Sequence, residues 1–111
     1  MSLNSKAKKL RDVLKVIDGL KCYHLCKPAS VKAPYAVWQE DSEGNSLYAN
    51  NTKAEQVLTA TVDYYTTSEY DAMTDTIQDA LNDAHLAWSL NSFQYEDETK
   101  LLHYEWIVEV V

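Results

Sequence analysis

The stretch LTATVDYYT, residues 58–66, sets Leu58, Ala60, Val62 and Tyr64 on one parity and Thr59, Thr61 and Asp63 on the other. Side chains alternate across a strand, so this is a strand with a core side and a wet side. The period then changes at once. Met73, Ile77, Ala80, Leu81, Ala84 and Trp88 recur at helical spacing, with Asp75, Gln78, Asp79, Asn82 and Asp83 outside that stripe. Ser68 with Asp71 reads as a capping-box-like start, and Glu69 and Asp71 complement the positive helix end. A half-buried strand followed by an amphipathic helix predicts a sheet covered on one face.

Working outward, the C-terminal end reads as a hairpin. Phe93 and Tyr95 lead into the turn EDETK, and the return strand sets Leu102, Tyr104, Trp106, Val108 and Val110 against His103, Glu105 and Glu109 at period two. Toward the N-terminus, Leu10, Val13, Leu14, Ile17 and Leu20 mark a first helix, with Gly19 as a left-handed cap. CYHL is a short strand. In KPASVKAPYAVWQE, residues 27–40, Pro34 starts the next strand, since proline suits a strand's first residue and lacks the amide that a central ladder needs. Asp41–Ala54 reads as a long polar loop, functional or disordered at that length. The expectation is one α+β domain over residues 1–111. Its order is α-β-β-β-α-β-β, with an antiparallel or mixed sheet of about four to five strands carrying both helices on one face.

The chain of 111 residues is long enough for a single core without a disulfide or metal staple. It lacks a run of membrane-spanning length and reads as a soluble cytoplasmic protein. Its net charge of −7 is unevenly spread. Residues 1–32 carry eight cations (Lys6, Lys8, Lys9, Arg11, Lys15, Lys21, Lys27, Lys32) against two acids, and the remainder carries two cations against fifteen acids. Two readings stand side by side: solvated faces of two helices, or a subunit whose positive face meets its neighbour's negative face. Asp75, Asp79 and Asp83 recur every fourth residue and repel one another by a few tenths of a kcal/mol per pair, which reads either as a partner-facing row or as a merely solvated face. KPASVK, with Lys27 and Lys32 directed outward, reads either as a contact loop or as an ordinary connection.

Catalytic signatures are sparse. Two glycines, Gly19 and Gly44, cannot build a glycine-rich phosphate cradle, and His24, His85 and His103 fall in different elements and match no motif. Cys22, His24 and Cys26 share a strand face, yet alternate residues on a strand stand about 7 Å apart, too far for convergent zinc ligands. The cysteines read as free thiols, since four residues of strand separate their Cα atoms by about 13 Å. A pI near 4.8 argues against sequence-specific nucleic-acid binding. No cofactor, metal or catalytic residue is expected.

The text PASVKAPYAVWQE, the acidic and asparagine-rich loop, the strand LTATVDYYT and the helix YDAMTDTIQDALND resemble, in order and spacing, the tail-terminator or tail-completion proteins of long-tailed bacteriophages and prophages. The resemblance spans about Leu10 to Val111. It implies a small α/β subunit that forms a six-membered ring, caps the tail tube and joins it to the head, with the tail tube protein and a head-completion protein as partners. It would place the chain in the virion tail, and in the host cytoplasm during assembly. The residues singled out for an assembly interface are Lys6, Lys8, Lys9, Arg11, Lys27, Lys32, Asp41, Glu43, Gly44, Asn45, Asp75, Asp79 and Asp83. Two other classes remain: a head-completion or minor capsid protein at the portal, and a small enzyme or metal-binding module built on Cys22, His24 and Cys26.

Overall fold

A computed structural model describes residues 2–44, 47–49 and 52–111, with 47–49 and 52–55 described as backbone. The elements are α1 (Leu3–Lys15), β1 (Cys22–His24), β2 (Tyr35–Glu43), β3 (Leu47–Ala49), β4 (Thr52–Glu55), β5 (Leu58–Thr66), α2 (Ala72–Asp83), β6 (Ala87–Glu96) and β7 (Leu101–Val110). Five strands form one sheet in the order β1-β2-β5-β7-β6, and β3 pairs with β4 apart from it. Only the β1–β2 pair of the large sheet is parallel, so the fold is α+β with a mixed sheet.

The period-two pattern of β5 dictates the layering. Leu58, Ala60, Val62 and Tyr64 face the helices together with Ala36 and Trp38 of β2 and Trp106, Val108 and Val110 of β7. Leu10 and Leu14 of α1 and Ile77 and Leu81 of α2 close this core from above, each without exposed surface. Both helices therefore lie on one face. At roughly 25 cal/mol per Å² of apolar surface removed from water, this face is the main driving force of the fold.

Several boundaries differ from the sequence reading. α1 ends at Lys15, with Val16 as its cap, and Gly19 takes its left-handed φ of 81° in the turn beyond. The N-cap of α2 is Asp71, whose carboxylate accepts from the Met73 amide, whereas Ser68 uses its own amide on Thr66 Oγ1. Trp88 lies in β6 and reaches back, donating from Nε1 to Asn82. The expected loop over Asp41–Ala54 is largely strand: Asp41 and Glu43 extend β2, and β3 and β4 form an antiparallel pair. Asp41 is the extra residue of a bulge between Glu40 and Ser42, which re-aims its carboxylate onto the Thr61 hydroxyl. Gly44 is held by close packing. Its amide donates to the Val57 carbonyl at 2.7 Å, and a Cβ there would stand 2.8 Å from Thr59 Oγ1. The side of β5 and β7 read as wet is partly covered, for Thr61 and His103 are buried.

Candidate functional site

The cations of α1 do not share one environment. Lys6 is 3% exposed and donates its ammonium to the Gln56 carbonyl, so it ties the helix start to the segment before β5 and belongs to no free positive face. Lys8, Arg11 and Lys15 line the flank of α1 toward β1, where a cleft is floored by Trp38. In that cleft His24 stacks on the Trp38 ring at 4.1 Å and pairs with Glu40 at 2.6 Å. The His24 partner holds the Glu40 carboxyl below the usual carboxylate range. Lys9 lies beside Val13 and Val16, around a shallow depression that Lys8 also borders.

The acidic row lies in the same layer but on α2. Asp75, Asp79 and Asp83 are exposed, and Asp79 and Asp83 join Asp18 around a groove floored by Val13, Val16, Ile17, Ala80 and Ala84. Val16 is 80% exposed there. Basic flank, apolar groove and acidic row thus succeed one another across the two helices.

The loop residues separate. Lys27 folds back over the Tyr35 ring at 5.3 Å from its centroid, on the sheet face away from the helices, so it is not directed outward as expected. Lys32 is exposed, and its carbonyl accepts from Lys21 Nζ. Asp41 and Glu43 are exposed strand residues, and Glu43 accepts from Gln56 at 3.1 Å. Asn45 lies outside the described residues. The expected interface set is therefore divided between the helical layer, with Lys8, Lys9, Arg11, Asp75, Asp79 and Asp83, and scattered positions that do not join it.

Cys22, His24 and Cys26 do not converge. β1 stops at His24, Leu25 turns with φ 73°, and both thiols are free. Burial pushes the Cys22 thiol up to about 11, so it is a poor nucleophile at neutral pH. Among the described residues, the set of three potential metal ligands that does converge is Asp63, His103 and Glu105, on the sheet face away from the helices. Sequence reasoning missed this group because it depends on the β5–β7 register. Its one legible signal is the shared parity of His103 and Glu105.

No family model matches the chain, and no curated protein sequence does. Among the described residues, no helix is long and apolar enough to cross a membrane.

Proposed function

We propose that the chain is a non-catalytic structural subunit of a phage or prophage tail, which assembles into a hexameric ring that terminates the tail tube and joins it to the head. The observation that carries this reading is the arrangement of the helical layer. A basic flank and an acidic row on either side of an exposed apolar groove offer unlike surfaces for a head-to-tail contact, and heterologous contacts close into rings when the rotation permits. Exposed ion pairs contribute about 0–1 kcal/mol each, so charge sets orientation and encounter rate while the valine- and alanine-lined groove supplies affinity. The element order from helix to terminal hairpin supports the same assignment through the resemblance. Its partners are further copies of itself, the tail tube protein and a head-completion protein.

Sedimentation of the wild type and two variants tests the reading. Asp79→Lys with Asp83→Lys should block ring formation without unfolding the subunit, and adding Lys8→Glu with Lys9→Glu should partly restore it. Lys6 is left in place, since its charge is internal. Assembly should weaken but persist as salt rises, because the Debye length falls from about 10 Å at 0.1 M to about 3 Å at 1 M. Equal assembly by the wild type and both variants would remove the electrostatic contact. Failure of the wild-type chain to complete tails in a tail-joining assay would remove the function itself.

A further inference from the structure

On the sheet face away from the helices, Asp63 of β5 stands directly across from Glu105 of β7, and Tyr65 stands across from His103. Like charges at directly opposed positions destabilise a sheet, and the His103 imidazole stands beside this pair, within hydrogen-bond reach of Asp63. A positive charge beside the two carboxylates relieves that repulsion, and either a protonated His103 or a bound cation supplies it.

The imidazole of His103 occupies the centre of this group. It is 9% exposed, stacked at 4.2 Å against the Tyr65 ring, with Nε2 at 2.7 Å from Asp63 Oδ1. Its Nδ1 is buried and lacks a hydrogen-bond partner, and the closest carboxylate to it is Glu96 Oε2 at 3.5 Å. One donor atom each from Asp63, His103 and Glu105 fall within 4.8 Å of one another. Two ligands held about 2.0–2.2 Å from one ion lie about 3 Å apart at a right angle and about 3.4 Å apart at the tetrahedral angle, so the 2.7 Å His103–Asp63 gap opens by less than about 1 Å to admit an ion. Glu105 is steadied from outside the group by Asn91 Nδ2, which donates to its carboxylate at 2.6 Å.

We propose that Asp63, His103 and Glu105 form a binding site for a divalent first-row transition-metal ion, with Glu96 accepting from His103 Nδ1–H. Coordination through Nε2 fixes the imidazole proton on Nδ1, and Glu96 is the carboxylate placed to receive it. This is the carboxylate–histidine–metal relation in which an outer acceptor orients the ligand and raises its basicity. Nitrogen and oxygen donors together favour zinc, manganese or iron over calcium or magnesium, which prefer oxygen alone. The ion would neutralise the Asp63–Glu105 pair and tie β5 to β7, with Glu96 at the end of β6 drawn in through the histidine. The site is independent of the charged helical layer.

Titration calorimetry of chelator-treated protein with Zn²⁺ tests this, alongside the visible spectrum of the Co²⁺-loaded protein. The expected result is one equivalent bound, lost in His103→Gln and in Asp63→Asn, and retained when Cys22 and Cys26 are both changed to Ser. Glu96→Gln touches no proposed ligand atom and should weaken binding about ten- to a hundred-fold, as loss of an outer-shell acceptor does. A bound ion should also raise the melting temperature of the wild type but not of Asp63→Asn, which removes a ligand carboxylate while leaving an amide oxygen to accept from His103 Nε2. Should His103→Gln fail to fold, the Asp63→Asn and Glu96→Gln pair decides the matter. The proposal is overturned if the wild type binds neither Zn²⁺ nor Co²⁺ stoichiometrically, if binding survives Asp63→Asn, or if it disappears with the two cysteines.

Discussion

Replacing Asp71 should unfasten the joint between β5 and α2 more than any single exposed cap would. Its carboxylate accepts three hydrogen bonds: from Tyr64 Oη and Thr66 Oγ1, both at 2.7 Å, and from the Met73 amide at 2.9 Å. Tyr64 and Thr66 are each 1% exposed, so neither hydroxyl has water to turn to. Removing an N-cap costs about 1 kcal/mol, and leaving a buried donor unpaired costs about 1–3 kcal/mol. Asp71→Ala should therefore cost about 3–5 kcal/mol in chemical denaturation. Asp71→Asn keeps an oxygen for the Met73 amide and should cost about 1–2 kcal/mol. Tyr64→Phe should be markedly less damaging in the Asp71→Ala background than in the wild type, because the two share one interaction. Burial alone would raise the Asp71 carboxyl, but the bonds from Thr66, the Met73 amide and Tyr64 outweigh it and hold it below its ordinary value. A carboxylate depressed in the folded state stabilises above its unfolded value, about 3.9, and that contribution disappears as pH falls through the folded value. The acid limb of stability, below about pH 4, should accordingly be shallower in Asp71→Asn than in the wild type. A cost below about 1 kcal/mol for Asp71→Ala, or strict additivity with Tyr64→Phe, would refute the shared-acceptor account.

Two further perturbations probe the packing. Leu81→Ala, at a site with no exposed surface between α2 and the sheet, should cost about 2–5 kcal/mol in the same denaturation assay, and a cost under about half a kcal/mol would mean that α2 buries another face. Gly44→Ala should cost about 1–3 kcal/mol by overpacking against Thr59, and Thr59→Ala should recover part of that loss, which a double-mutant cycle reads directly.

What the sequence made legible was whatever its periodicity alone determines. Leu58, Ala60, Val62, Tyr64, Ile77, Leu81, Trp106 and Val108 all read as core from alternation or helical spacing, and all lie in it. The terminal hairpin was equally plain. Misreadings arose where a residue's role depends on a distant partner. Lys6 reads as a free cation until the segment before β5 offers its carbonyl, although its place four residues before Leu10 puts it on the buried stripe. Gly44 reads as a flexible loop residue until Thr59 is seen beside it. β3 and β4 are too short for alternation to outweigh their asparagine-rich surroundings. The Asp63–His103–Glu105 group requires the β5–β7 register, which side-chain parity constrains only modulo two.

The irregularity of β6 bears on how the isolated subunit behaves in concentrated solution. As one of the two edge strands of the sheet it presents ten residues, with Leu90, Phe93 and Tyr95 exposed, and a flat edge of that length would template the addition of a foreign strand. Asn91 interrupts it, because the ladder to β7 slips by one residue between Leu90 and Ser92, adding local twist halfway along. An incoming strand that zips onto one half of β6 is therefore out of step with the other half. The extra residue acts as a stop against runaway edge-to-edge growth, while each half keeps enough free backbone for a short, bounded contact.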